Sequence, residues 1–155
     1  MRRGPLLLCA LVSLAFPLAA GASSSATTHQ DSALLREMNR VRAQYGLAAL
    51  RPDGHLQRAA VSHTREMISS NTFAHGAFGT RMVHFDVSFS LAGENLAWGT
   101  GSLGRAHEIV AAWLASPEHR ANLLRPSFRR VGVGDLVATF QGYSDAHVVT
   151  ADFAG

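Results

Sequence analysis

Apolar residues return at helical spacing in three stretches of the chain. Leu34, Leu35, Met38, Val41 and Tyr45 share one face, with Asp31 or Ser32 placed to cap the helix and Gly46 to close it in a left-handed turn. After the turn Pro52-Asp53-Gly54, a second stripe of Leu56, Ala59, Ala60, His63 and Met67 runs to Ser69-Ser70-Asn71. Ala106, Ile109, Val110, Trp113 and Leu114 make the third. Ser116-Pro117 then restarts the chain as a short helix anchored by Leu123-Leu124. Serine stands at the cap, proline in the first turn and Glu118 at the positive helix end.

A different pattern governs the rest. Residues 131–140 and 147–153 are rich in Val, Phe and Thr and are joined by the turn-prone Gln141-Gly142-Tyr143-Ser144-Asp145, which predicts an antiparallel hairpin. In the second arm His147, Val149, Ala151 and Phe153 alternate with Val148, Thr150 and Asp152, so one face is covered by helices and the other partly covered. Residues 91–98 predict one further strand. Residues 71–90 mix Gly, Phe, His and Arg without a period and predict an irregular crossing segment. Helices early and strands late make the fold class α+β, and no internal repeat is present.

The first 22 residues carry a different message. Arg2-Arg3, an apolar run over residues 6–20 and the small residues Ala20-Gly21-Ala22 have the form of a secretory signal, with Ser23 as the expected mature start. The apolar run is broken by Pro17 and is short for a spanning helix, so the exported chain is expected not to span a membrane. Residues 23–30 read as a flexible leader and residues 31–155 as one domain. The single cysteine, Cys9, lies inside the signal, so the domain must hold together without a disulfide.

Charge excludes some partners. All 14 basic residues are arginine, against 11 acids; two of those arginines leave with the signal, so the mature chain is nearly neutral. No basic stripe with interleaved aromatics appears, and no nucleic-acid partner is expected. Gly99-Thr100-Gly101-Ser102-Leu103-Gly104 matches a dinucleotide fingerprint, but the strand–helix alternation of a parallel sheet is missing; it reads as a flexible connection and no nucleotide cofactor is expected. There is no Gly-x-Ser-x-Gly elbow, no His-Glu-x-x-His helix and no cysteine nucleophile after the signal.

Three segments put an ionisable residue at the end of an element: Phe73-Ala74-His75, Gly93-Glu94-Asn95-Leu96 and residues 116–124 with His119. With Asn39-Arg40-Val41-Arg42 and Gly46-Leu47, with Ala59…His63…Met67, with Trp113-x-x-Ser116-x-x-His119-Arg120-x-Asn122, and with Gly132-Val133-Gly134, they form an ordered series. This series resembles the CAP superfamily of cysteine-rich secretory, antigen 5 and pathogenesis-related proteins (SCP-like extracellular domains), in its bacterial, disulfide-free branch. The resemblance implies an α-β-α sandwich with a small antiparallel sheet between helical layers and a wide cleft on one side. It implies, too, a divalent metal such as zinc on His75, Glu94 and His119. The second glutamate of animal and plant members falls at Ser116 here, so that metal set is incomplete.

Chemically, two neutral imidazoles and a carboxylate with one open position are an acceptable zinc set. His119, in the first turn of a helix, is kept neutral by the positive helix end. Equally, three such residues far apart in sequence can be separate hydrogen-bonded groups. His63 reads as a core-edge histidine satisfied by a hydrogen bond, or else as a group beneath the cleft. His84 and Asp86 read as solvated loop, Trp98 and Trp113 as core. The function expected is a secreted or periplasmic binding module, its cleft holding a small apolar or lipid-like ligand or a cell-envelope component. The alternative is a metal-dependent hydrolase of peptide or cell-wall bonds, for which Glu118 is the one nearby candidate base.

Overall fold

The computed structural model describes residues 22–155, with side chains from Asp31 onward; apart from Ala22, the expected export signal lies outside the described residues. The elements are α1 (Ala22–Gln44), β1 (Arg51–Pro52), α2 (Gly54–Ser70), α3 (Phe78–His84), β2 (Ala92–Gly99), α4 (Ala106–Ala115), α5 (Pro117–Leu123), β3 (Arg130–Phe140) and β4 (Tyr143–Ala154). They form one sheet in the order β1-β3-β4-β2, antiparallel except for the short parallel pairing of β1 with β3.

Alternation along β4 decides what each face of the sheet meets. Val149, Ala151 and Phe153 join Val131 and Val133 under Leu34, Met38, Ile109, Val110, Trp113 and Leu123, so α1, α4 and α5 cover one face. Val148 and Ala154 point the other way, toward Leu96, Met67 and Leu56, so α2 and the short α3 cover the second. The result is the α-β-α sandwich, and both faces are closed.

α2 lies close to the sheet because two glycines leave room for its backbone. A methyl at Gly132 would land on the backbone of Leu56 and Gln57, and one at Gly134 would come within 2.7 Å of Val61 N. Thr64 seals the contact: its hydroxyl lies 3.0 Å from Gly134 O and 2.9 Å from Thr150 Oγ1. On the opposite face α1 is held by Arg42, which is fully buried and has no acidic partner among the described residues. Its guanidinium donates instead to the carbonyls of Ala48, Leu123, Arg125 and Phe128 at 2.8–3.1 Å, tying α1 to the α5–β3 connection.

Five local expectations need correction. Helical backbone begins at Ala22, through the stretch read as a flexible leader, because no Gly or Pro interrupts the chain before Gln44. Asp31 therefore does not cap α1; its carboxylate accepts from Asp135 N at 3.0 Å and from Gln57 Nε2 at 3.1 Å. The irregular segment contains α3, whose seven residues bury only Arg81 and Met82 and so show no stripe. Residues 101–104 are a 3-10 turn packed on Gly99 rather than a loose connection. Ser116 holds the cap position of α5 with no side-chain cap hydrogen bond. Asp53 does cap α2, accepting from His55 N and Leu56 N.

Two outcomes test this packing. Gly132→Ala is expected to lower stability by about 3 kcal/mol or more in chemical denaturation, since the obstacle is helix backbone and cannot rotate away. Burial and the nearby Asp135 push the Asp31 carboxyl up to about 7. A raised folded value means that stability present below the unfolded value of 3.8 is lost as pH climbs toward 7. Asp31→Asn does not titrate there, so denaturation curves from pH 4 to pH 7 should move in its favour relative to wild type, by on the order of 2 kcal/mol after solvent screening.

Candidate functional site

Glu94 and Asp152 are direct neighbours across the β2–β4 pairing, and Gly132 stands opposite Asp152 on β3. All three lie on the face toward α2, where the close helix leaves both carboxyls buried. A buried carboxylate needs donors; the chain supplies Glu94 with two, from the loop after α2 and from α3, and brings a histidine of α2 nearby. The loop after α2 brings His75, whose Nδ1 lies 2.7 Å from Glu94 Oε1; the histidine side chain is 58% exposed, the glutamate side chain 3%. From α3 comes Arg81, whose Nη2 donates to Glu94 Oε2 and stands 4.0 Å from Asp152 Oδ1. α2 contributes His63, with Nε2 3.9 Å from Glu94 Oε2.

His63 both fills the core and holds the site. It is 1% exposed, and Nε2 donates to Ala74 O at 2.9 Å, fixing the loop that carries His75. Burial, reinforced by the Arg81 charge, lowers its pKa. His119 is set by a separate lattice. Asn95 Nδ2 donates to His119 O at 2.9 Å, and Asn122 Nδ2 donates to Glu94 O and to Asn95 Oδ1, both at 3.1 Å. These amides bind α5 to β2, the edge strand, and hold the His119 backbone against it. The His119 pKa is lowered first by burial and then by the neighbouring His75, while Glu118 pulls the other way. Glu118 itself is exposed.

The carboxyl pair is under electrostatic tension. Burial raises both pKa values, Glu94 raises that of Asp152 further, and the Arg81 charge opposes the rise at each. Among the described residues, Arg81 Nε is buried without a hydrogen-bond partner, and the Asp152 oxygens, which receive no N–H or hydroxyl donor, have the Glu94 carboxyl as their neighbour. One proton between the two carboxyls, with the guanidinium, makes the cluster neutral.

Donor geometry bears on the metal implied by the sequence resemblance. Both Glu94 oxygens already receive donors, one from His75 and one from Arg81. A guanidinium held against a carboxylate repels a second cation. Among the described residues no three His, Cys, Asp or Glu side chains stand together as a metal-holding group. As placed, this set does not fit a metal ion. His84 and Asp86 are exposed; Trp113 is buried and donates to Leu96 O, while Trp98 is only partly buried, against Phe140 and Tyr143.

Sequence reasoning passed over Arg81 and Asp152. Arg81 sits in an unperiodic stretch, and Asp152 showed only as one member of an alternating strand; its partner is visible only through strand register. Also missed was a cavity of about 420 Å³ on another side, between Asp31, Leu35, Pro52, Gln57 and Val133.

Known proteins match this architecture. The profile of the Cysteine-rich secretory protein family (CAP) matches residues 35–153. The uncharacterized protein YkwD of Bacillus subtilis is 32% identical over 115 residues, which are 71% of this chain and 44% of YkwD. An extracellular protein of Bacillus anthracis containing an SCP domain superposes with a TM-score of 0.71 at 27% identity, over 90% of this chain and 45% of that one. An outer surface protein of Borrelia burgdorferi gives 0.68 at 26% identity, over 81% of this chain and 91% of that one. The chain spans less than half the length of the two Bacillus proteins. Among the described residues no helix is long and apolar enough to cross a membrane.

If the His75 and His119 rings face one another, His75→Ala should raise the His119 pKa toward its ordinary value. Proton-detected titration of the ring resonances reads this directly; an unmoved His119 curve would place the two rings apart.

Proposed function

Because the chain belongs to the cysteine-rich secretory protein family, we propose that it is an exported binding module whose cleft, formed by His75, Glu94 and His119, takes a small apolar or lipid-like ligand with an oxygen-bearing head, or a cell-envelope component of that kind. One observation carries this reading: a buried, doubly bonded Glu94 fixes a half-exposed His75 near enough to His119 to bear on its charge. Glu118, the candidate base, is exposed at the start of α5. The rings offer polar contacts for a head group. Beside them an aromatic surface continues through Phe73, 43% exposed and edge-on to Phe140, to Trp98 and Tyr143. An amphiphile is the ligand class that uses both.

Export agrees with the form of residues 1–22 and with the extracellular and outer-surface relatives. A second reading, hydrolysis of peptide or cell-wall bonds, is favoured by one feature. With Glu94 ionised, Nδ1 of His75 carries the proton, so Nε2 keeps a lone pair in the open cleft as an oriented general base would.

Organic extraction of protein purified from its native host, followed by mass spectrometry, should release an amphiphile. A fatty-acid probe titrated into the protein should bind about tenfold more weakly to His75→Ala and to Phe73→Ala. An empty extract together with no probe binding would remove the ligand reading. Soluble fragments released from purified cell wall by wild type but not by His75→Ala would install the hydrolase in its place.

A further inference from the structure

We infer that the hollow between α1, the start of α2 and β3 is a second binding site, separate from the His75 cleft, and that it takes a small organic cation, a primary ammonium head on a short apolar body, with Asp31 as the partner of the ammonium. The inference is independent of which ligand the cleft receives.

The hollow has a volume of about 420 Å³ and a mostly apolar wall, with Leu35, Pro52 and Val133 beside the polar groups of Asp31, Asp53 and Gln57. Small-molecule sites share that size, that lining and a few fixed polar atoms. An anion does not suit this one. Both charged residues of the wall are acids. The amides that open α2, where anions gather, are already taken by Asp53, which accepts from His55 N at 2.9 Å and from Leu56 N at 3.1 Å.

The acids around the hollow differ in their partners. Asp53 is neutralised by Arg130, whose Nη1 lies 2.9 Å from Asp53 Oδ2, and Asp135 on β3 pairs with His147 at 2.9 Å. Asp31 has no cation beside it among the described residues; one oxygen accepts from Asp135 N and the other from Gln57 Nε2. Each oxygen keeps a lone pair for one more donor. Gln57 is itself pinned, since it also donates to Val133 O and accepts from Val133 N at 2.9 Å. The Asp31 carboxyl is therefore oriented, half-buried and short of positive charge. Burial, and after it the Asp135 charge, raises its pKa to about 7; a cation at its side lowers that value again.

Calorimetric titration of hexylammonium, hexanol and hexanoate into wild type and Asp31→Asn tests this, at pH 6 and at pH 8.5. Hexylammonium should bind wild type at least about tenfold more tightly than either control, and Asp31→Asn should erase the preference. The ammonium stays charged at both pH values and binds the ionised carboxyl, so its affinity should rise about tenfold from pH 6 to pH 8.5, with close to one proton released per ligand at the lower pH. Asp53, Arg130, Asp135 and His147 are unchanged in Asp31→Asn, so a pH dependence that survives there overturns the proposal. Amide resonances of Gly54, Gln57 and Val133 should move as hexylammonium is added. Shifts centred on His75 and Glu94 in their place overturn it, as do equal affinity for the three probes and no binding to wild type.

Discussion

The approach of α2 to the sheet governs the molecule. Where most helices rest on a layer of side chains, this one sets its own backbone against Gly132 and Gly134, and Thr64 closes the seam through its hydroxyl. The contact leaves no thickness for water between helix and strands. Glu94 and Asp152, which point into that layer, are consequently dry, and every unusual feature of the cleft follows from keeping two acids there. His63 and Arg81 descend from the covering helices to meet them, and His75 reaches in from the solvent side.

Much of this was legible in the residues alone. The apolar stripes of α2 and α4 ended within a residue or two of the observed helices, and the hairpin of β3 and β4 stood out by composition. Each of these is a local pattern, set by neighbours along the chain. Three polar positions could be picked out because each was expected at the end of an element; His75 lies on the loop after α2, Glu94 third in β2 and His119 third in α5. What stayed hidden depended on partners distant in sequence. Asp31 had the form of a helix cap, yet its carboxylate serves a backbone amide on β3. Gln57 lies outside the apolar stripe of α2, and it donates to Val133 O and accepts from Val133 N. Arg81 had no apolar period around it, and Asp152 needed a strand register before its neighbour was known.

Loop, edge strand and short helix share the work of presenting the two imidazoles. His75 hangs on the segment that follows α2, and that segment is fastened by the His63 ring beneath it. His119 is fastened by amides of Asn95 and Asn122, which also hold the outer strand β2 against α5. An edge strand with free amides invites pairing with other chains; here side-chain amides and a helix cover part of that edge. Positioning a ring and protecting a strand are thus achieved by the same two asparagines.

The two buried arginines differ in what sustains them. Arg81 leans on acids, whose charge vanishes when they are protonated. Arg42 leans on peptide carbonyls, which have no proton to gain in mild acid, and its own guanidinium stays charged throughout. The clasp between the first helix and the segment leading into β3 is therefore indifferent to environmental acid, whereas the cleft, whose buried carboxyls take up protons more readily than free ones, changes its charge as the surroundings sour.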